Sequence, residues 1–170
     1  MNIRKEESKD YAEIYEVVKN AFRCAEHADG NEHELVNALR YGSAYIPELS
    51  LVAEENGSII GHIMFTKAEI GGKIVLALAP LSVLPEYQRK GVGTALIEEG
   101  HKIAKEMGYA YSVVLGSENY YPKFGYIPAD TFGIIAPFDV PRDNFMVYKI
   151  KDDAEKIGGV MKYAKEFGID

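Results

Sequence analysis

The stretch that decides the fold joins an apolar, β-rich run to a helical pattern, and it reads Leu81-Ser82-Val83-Leu84-Pro85-Glu86-Tyr87-Gln88-Arg89-Lys90-Gly91-Val92-Gly93-Thr94. Gly91 and Gly93 lack a Cβ and therefore let the backbone approach a ligand closely. The helix that follows offers unpaired N–H groups and the positive end of its dipole. Arg89 and Lys90 add positive charge. Together these features predict an anion site suited to a pyrophosphate.

Two common nucleotide-binding motifs do not fit this stretch. A Walker A loop needs a Gly-Lys-Ser/Thr sequence, which is absent here. A dinucleotide-binding loop needs Gly-x-Gly-x-x-Gly directly after a strand. In this chain Leu96 stands where the third glycine would be, and residues 85–90 separate the strand from Gly91. A dinucleotide oxidoreductase is therefore only a weak alternative.

Upstream of the loop, the sequence predicts three consecutive antiparallel strands. The pair Asn56-Gly57 is a strong hairpin-turn signal, and Gly71-Gly72 marks a second turn. The runs on either side of these turns are rich in β-branched and apolar residues, as strands are, and cover residues 51–55, 59–67 and 73–84.

Downstream of the loop, the pattern changes to a helix followed by a buried strand. Apolar residues recur on one helical face between Gly91 and Gly108, and Gly108 is typical of a helix end. Residues 111–115 then predict a strand. A strand–helix–strand crossover normally makes its two strands parallel and right-handed.

The remaining segments complete a mixed α/β (α+β) fold. Ile3 begins a short strand, Ser8 is placed to cap a first helix, and a second helix is expected after Asn31. Residues 145–150 predict a last strand. We expect one domain over residues 1–170, with a mostly antiparallel central sheet, a parallel splayed strand pair and flanking helices. The segment 127–144 is expected to cover the mouth of the site, and residues 152–170 have no assigned structure.

Composition narrows the function classes. The 170 residues carry a formal net charge of −7, without the basic face that nucleic-acid binders show. Only one cysteine, Cys24, is present, so no intrachain disulfide can form, which fits a reducing cytoplasm. No secretory signal and no run of about 20 apolar residues is visible. We therefore expect a soluble cytoplasmic protein that binds neither nucleic acid nor membrane.

The loop resembles the pyrophosphate motif of the GCN5-related N-acetyltransferase (GNAT) family, Gln/Arg-x-x-Gly-x-Gly/Ala, which here is Gln88-Arg89-Lys90-Gly91-Val92-Gly93. The later Tyr120-Tyr121-Pro122-Lys123-Phe124-Gly125-Tyr126 is similar to the family's Tyr-x-x-x-Gly-Phe signature, with Tyr126 in place of Phe. The resemblance covers nearly the whole chain and is greatest to the family's YhbS-like branch of predicted acetyltransferases.

This resemblance implies an N-acetyltransferase that uses acetyl-coenzyme A as cosubstrate and transfers acetyl directly to an unidentified amine of a small molecule or peptide. It also implies that one backbone N–H of the fourth strand, from Leu81, Ser82 or Val83, stabilises the negative charge that develops on the thioester carbonyl oxygen. Pro80 has no N–H and suits a bulge or splayed edge beside them. The implied cofactor-binding residues are Leu81, Ser82, Val83, Gln88, Arg89, Lys90, Gly91, Val92, Gly93 and Thr94.

Tyr121 occupies the family position just before the Gly-Phe turn. The resemblance implies that Tyr121 is the general acid that protonates the leaving thiolate. A phenol with a pKa of about 10 stays protonated at neutral pH and can donate. Tyr120, its neighbour, is expected to point elsewhere. The base that deprotonates the amine is open among four candidates on or near the central strands, which are Glu54, His62, Glu69 and Glu118.

Other interpretations stay open or need no special chemistry. A non-catalytic acetyl-CoA-binding or sensing module would share the same loop. An antiparallel edge strand could support a homodimer. His27 and His33 lie among carboxylates, but their spacing matches no zinc motif, so no metal site is predicted. Residues 25–45 and 127–144 are expected to shape the acceptor site.

Overall fold

The computed structural model describes residues 1–23 and 30–169. Within them, three α-helices and nine strands occur. The helices are α1 (Tyr11–Phe22), α2 (Glu32–Arg40) and α3 (Val92–Glu106). The strands are β1 (Asn2–Lys5), β2 (Tyr45–Glu55), β3 (Ser58–Ile70), β4 (Lys73–Val83), β5 (Tyr111–Leu115), β6 (Ile127–Pro128), β7 (Ile134–Ile135), β8 (Phe145–Lys149) and β9 (Gly159–Lys162).

One open sheet carries most of the strands, in the order β1-β2-β3-β4-β5-β8-β6, with β9 pairing with β3 and β7. The pairs β2–β3 and β3–β4 are antiparallel, as the two glycine turns predicted. The pair β4–β5 is parallel, as the helical crossover predicted. The predicted fold class, a mostly antiparallel sheet with one splayed parallel pair and flanking helices, is confirmed.

Strand β4 separates from β5 beyond its middle. The two strands pair only at Leu76–Ser112 and Ala77–Val113. On its other side, β4 stays paired with β3, but two residues of β4 lie opposite one of β3 between the pairs Phe65–Leu78 and Ile63–Leu81. This bulge contains Pro80, whose peptide bond with Ala79 is cis. The bulge predicted at Pro80 is confirmed, and the last residues of β4 face a gap.

The helices cover the two faces of the sheet. Helices α1 and α2 pack over one face, where Ile14 and Leu39 are fully buried against Val52 and Met64. Helix α3 packs over the other face, where Leu96 is buried against residues of β3 and β4. Removing one such side chain from water stabilises the fold by roughly 1.5–3 kcal/mol. The end of β4 therefore lies between two different helical layers.

Segment 127–144 forms two short strands and part of a second core. It forms β6 against β8 and β7 against β9, and its apolar residues pack with Met161 and Tyr163 in a separate core. The uninterpreted tail supplies β9 to this core. Long-range pairing of two-residue strands leaves no periodicity in the sequence, so the pattern did not predict it.

The start of α1 differs from the predicted cap. Ser8 does not cap α1; it begins a 3₁₀ turn, Ser8–Asp10, in which the Glu7 N–H donates to the Asp10 carboxylate at 2.8 Å. Cys24, His27 and the start of segment 25–45 lie outside the described residues. In the described part of the chain, no helix has the length and hydropathy needed to cross a membrane.

Candidate active site

The loop between β4 and α3 is held open by its backbone. Gly91 precedes the helix with φ 86°, in the left-handed region that favours glycine. Arg89 also has a positive φ of 62°. The Gln88 side chain donates to the Val83 carbonyl at 3.1 Å and ties the loop back to the strand. The chain thus turns sharply between the strand end and the helix.

The first turn of α3 presents free backbone donors. The first helical hydrogen bond runs from Ala95 N–H to the Gly91 carbonyl at 3.0 Å. The N–H groups of Val92, Gly93 and Thr94 therefore precede any intrahelical partner and point out of the helix end, where the dipole is positive. This geometry suits an anion with several oxygens.

A cavity of about 540 Å³ lies between this helix end and the separated end of β4. Eight of the ten residues predicted to bind cofactor line it, namely Leu81, Val83, Gln88, Arg89, Gly91, Val92, Gly93 and Thr94. Ser82 and Lys90 lie outside the lining. Ser82 alternates to the opposite face of the strand, and the Lys90 ammonium lies 5.7 Å from the centre of the Tyr87 ring.

Three further residues line the cavity, namely Tyr87, Tyr120 and Lys123. The sequence did not predict any of them as a cofactor-binding residue. The expectation that Tyr120 points elsewhere is wrong, because its hydroxyl lies directly over Gly93, where a Cβ would collide with it. The ring is held by edge-to-face contacts with Tyr121 and Phe124, both at 5.1 Å between centroids. Only the return of residues 120–125 against α3 reveals this contact.

Positive charge is concentrated at the cavity in an acidic chain. Arg89 of the loop and Lys123 of the segment after β5 both line it. The Lys123 ammonium also lies 5.6 Å from the Tyr120 ring centre. Two cations in one cavity with a helix N-terminus favour a ligand with several negative charges.

At the end of β4, every second backbone N–H points into the gap between β4 and β5. Leu84 N–H donates to the Ile60 carbonyl of β3 at 2.9 Å. Because successive strand amides point in opposite directions, the N–H of Ser82 faces β3, whereas those of Leu81 and Val83 face the gap. Strand β4 thus offers two backbone donors where its sequence predicted three candidates.

Tyr121 sits beneath the cavity rather than in its lining. Its ring packs edge-to-face on Tyr126 at 5.7 Å, and it covers Gly116 so closely that a Cβ there would overlap it. Burial, with a smaller effect of Tyr120, raises the pKa of Tyr121 well above its usual value. The phenol therefore keeps its proton at neutral pH.

Tyr126 stands where the family motif has Phe, and buried polar side chains below Tyr121 pair with its additional hydroxyl. The Tyr126 hydroxyl lies 2.8 Å from Ser112 Oγ and 2.9 Å from His101 Nε2. His101 stacks on Tyr148 at 4.3 Å. Burial lowers the pKa of His101 to about 4, so the ring is neutral at pH 7. The extra hydroxyl of Tyr126 is thus fully paired.

The four candidate bases lie in different places. Glu54 is paired with Arg4 at 3.1 Å, and Glu69 is an exposed residue at the far end of β3. Glu118 is exposed and accepts from Asn144 at 2.6 Å, near the end of β5. His62 is fully buried in β3, opposite Ser82 of β4. Of the four candidates, only His62 lies directly opposite a residue at the end of β4.

Metal ligation finds no support in the described part of the chain, where no group of three or more His, Cys, Asp or Glu side chains could hold an ion. His33 contacts Tyr15 edge-to-face at 4.8 Å. His27 is outside the described residues.

Comparison with known proteins fits this geometry. The model of the acetyltransferase (GNAT) family matches residues 11–126. The uncharacterized N-acetyltransferase YjhQ of Escherichia coli K12 is 38% identical over 143 residues, which cover 81% of this chain and 76% of YjhQ.

Two solved structures are similar over nearly all of the chain. The E. coli GNAT family N-acetyltransferase YhbS in complex with CoA has a TM-score of 0.89 and 28% identity, over 98% of this chain and 91% of YhbS. A GNAT family acetyltransferase from Brucella melitensis in complex with acetyl-CoA has a TM-score of 0.80 and 36% identity, over 98% and 97%. By its sequence and its fold alike, this chain belongs to the GNAT family of acetyltransferases.

Proposed function

We propose that this N-acetyltransferase binds acetyl-CoA with its diphosphate on the first turn of α3 and transfers the acetyl group directly to a primary amine. The observation that carries the proposal is the cavity at the α3 N-terminus, where free amides and two cations face one space. The CoA and acetyl-CoA complexes of the two similar proteins support acetyl-CoA as the cosubstrate.

The oxyanion step uses the separated end of β4. As the amine attacks the thioester, negative charge develops on the carbonyl oxygen and needs a donor already in place. The N–H groups of Leu81 and Val83 face the gap and fit that role. Loss of one such donor typically costs 10²–10³-fold in turnover. Ser82 fits it less well, because its N–H faces β3.

The leaving thiolate takes its proton from Tyr121. Its burial keeps the phenol protonated, and its place beneath the cavity puts it on the side of the gap away from α1 and α2. General acids contribute about 10²–10⁴-fold. A thiolate leaves readily, so we expect the low end of that range, about 100-fold, for Tyr121→Phe.

The decisive experiment follows release of free CoA thiol while the enzyme is incubated with acetyl-CoA and a panel of amines. The panel contains a peptide with only a free α-amino group, a peptide with only a free lysine, and spermidine. We expect turnover on at least one class, with Tyr121→Phe slower and its Kd for acetyl-CoA unchanged. Tyr120→Phe is the matched control for loss of a neighbouring phenol.

Three outcomes would contradict parts of this proposal. Binding of acetyl-CoA without turnover on any amine would favour a sensing module. Failure to bind acetyl-CoA would remove both functions. Equal turnover by Tyr121→Phe and the wild-type enzyme would remove Tyr121 from the mechanism.

We also infer a cytoplasmic location and a homodimer formed through a free sheet edge. A single cysteine suits a reducing compartment. Strand β1 ends the sheet order and leaves one edge for pairing. Cell fractionation and light scattering on the purified protein test these two points.

A further inference from the structure

The proposed general acid and one cation of the cavity lie on the same short turn. Tyr121 begins the 3₁₀ turn Tyr121–Phe124, and Lys123 is its third residue. Tyr121 packs inward on Tyr126, whereas Lys123 is exposed and lines the cavity at the N-terminus of α3. One turn therefore carries both a group proposed for the chemistry and a cation that can reach the cofactor.

The backbone of this turn is hydrogen-bonded to its own neighbours. The Tyr121 N–H donates to the Ser117 carbonyl at 3.2 Å. The Lys123 N–H donates to the Tyr120 carbonyl at 3.3 Å. In the part of the chain that the structure describes, no backbone hydrogen bond joins residues 120–125 to α3 or β4. The turn is therefore not tied by its backbone to the other walls of the cavity.

Side-chain packing holds the turn against α3. The Tyr120 hydroxyl lies where a Cβ of Gly93 would be. The rings of Tyr120, Tyr121 and Phe124 pack against the core cluster that includes Val92 of α3. Apolar packing is non-directional. It therefore brings the turn against the helix without fixing the polar atoms of the turn relative to those of the helix.

The Lys123 ammonium is placed to complete a polar connection to α3 through a ligand. It lies 5.6 Å from the centre of the Tyr120 ring, whose hydroxyl lies over Gly93 in the first turn of the helix. No carboxylate of the described residues forms an ion pair with it. The ammonium and the free N–H groups of α3 thus lie beside the same phenol. A phosphate can accept charge-assisted bonds of about 2.7–2.9 Å from both.

We propose that Lys123 is a positioning residue through which the cofactor diphosphate holds Tyr121 in place for acetyl transfer, an inference that rests on the proposed function. Oxygens of the diphosphate accept hydrogen bonds from the first-turn amides of α3 and from the Lys123 ammonium. The diphosphate then joins the turn to the helix. Tyr121, two residues before Lys123, is thereby held against the leaving sulfur. Part of the binding energy of a remote group is used in the transition state.

A positioning role differs measurably from a role in binding alone. A cation that only anchored the cofactor would bind the ground state and the transition state equally, so its removal would raise KM and leave kcat unchanged. A cation that also holds Tyr121 must change kcat. It must do so only while Tyr121 has a proton to donate.

The test measures kcat and the Kd for acetyl-CoA in wild type, Lys123→Gln, Tyr121→Phe and the double variant, using the panel amine on which the wild type is fastest. We expect Lys123→Gln to lower kcat about tenfold, within the ~100-fold that a misplacement of 1 Å can cost. It should also raise the Kd about tenfold. In the Tyr121→Phe background the same change should lower kcat less than about twofold, because two residues that act as a unit are not additive.

Two control variants and one cofactor analogue sharpen the test. Lys123→Arg keeps the charge and should recover most of kcat. Lys102→Gln removes an exposed lysine of α3 that does not line the cavity, and it should leave kcat and Kd unchanged. Acetyl-3′-dephospho-CoA keeps the diphosphate, so Lys123→Gln should lower kcat by the same factor with this analogue. Because Lys123 is exposed, its substitution should leave the denaturation midpoint unchanged.

Each result has a distinct meaning. Wild-type kcat in Lys123→Gln, with or without a change in Kd, would overturn the positioning role and leave the proposed function intact. An equal fall in kcat with and without the Tyr121 hydroxyl would also overturn it. An effect of Lys123→Gln that vanishes with the 3′-dephospho analogue would place Lys123 on the 3′-phosphate instead. No turnover by the wild type on any amine would overturn the proposed function and this inference together.

Discussion

One added methyl group at Gly93 probes the wall of the cavity at the N-terminus of α3. A Cβ there would collide with the Tyr120 hydroxyl, while its next neighbours, Tyr120 Cζ at 3.5 Å and Leu81 Cδ2 at 3.8 Å, are at ordinary contact distance. The Tyr120 ring is held by Tyr121 and Phe124 and cannot move without disturbing them. The clash is therefore confined to one oxygen atom.

The magnitude follows from two opposing effects. Overpacking of this kind costs about 1–3 kcal/mol, whereas Gly→Ala in a helix gains up to ~1 kcal/mol. We expect Gly93→Ala to lower the free energy of unfolding by about 1–2 kcal/mol. In a Tyr120→Phe background the oxygen is gone, so the same substitution should become neutral or stabilising.

The assay is a double-mutant cycle by chemical denaturation, with calorimetric titration of acetyl-CoA on the four proteins. We expect a coupling energy of about 1–3 kcal/mol between the two positions. Acetyl-CoA should bind Gly93→Ala at least tenfold more weakly, with partial recovery in the double variant. Strictly additive effects on stability would refute the contact between Gly93 and Tyr120.

Three further predictions concern charge. Arg89→Gln should raise the Kd for acetyl-CoA about tenfold and weaken its salt dependence, which titrations at two ionic strengths will measure. The control is Lys90→Gln, which should have a smaller effect because Lys90 does not line the cavity. Equal effects of the two substitutions would contradict the cavity lining. His101 is neutral in the fold, with its pKa lowered to about 4, so its contribution is complete above the unfolded pKa of about 6.5 and falls by roughly 3 kcal/mol as the pH drops to 4. Denaturation of His101→Phe should lack this loss, and an unchanged pH dependence would exclude His101 as its source. Glu6→Gln should destabilise the fold by about 3–5 kcal/mol because Arg40 keeps a buried charge. The control is Glu54→Gln, which removes a half-buried carboxylate paired with Arg4, and a loss for Glu6→Gln no larger than for this control would contradict the pairing.

Local sequence patterns were sufficient wherever a structure repeats over several residues or depends on one backbone conformation. The two glycine turns predicted the antiparallel strands β2 to β4, and the helix predicted to start near Gly91 begins at Val92, with Gly91 in a left-handed conformation that glycine adopts easily. Pro80 predicted the bulge because it has no N–H for the ladder.

Side-chain direction over long sequence separations was not predictable. Tyr120 and Tyr121 are neighbours with equal chemistry, and which of them reaches the cavity depends on how residues 120–125 return against α3. The pairing of β7 with β9 joins segments too short to show a period. Ser8 is not a cap because the helical turn already begins at Ser8, where Glu7 is the N-cap residue and its N–H is held by the Asp10 carboxylate.

The sequence by itself determined the family, the order of the main elements and the loop proposed to receive the diphosphate, since these follow from backbone conformation and hydrophobic period. Only the tertiary structure decided that Glu6 and His62, 56 residues apart, meet in a buried layer opposite Ser82. Such a meeting depends on strand register and on which face each residue takes, and neither is encoded in any local stretch of the chain.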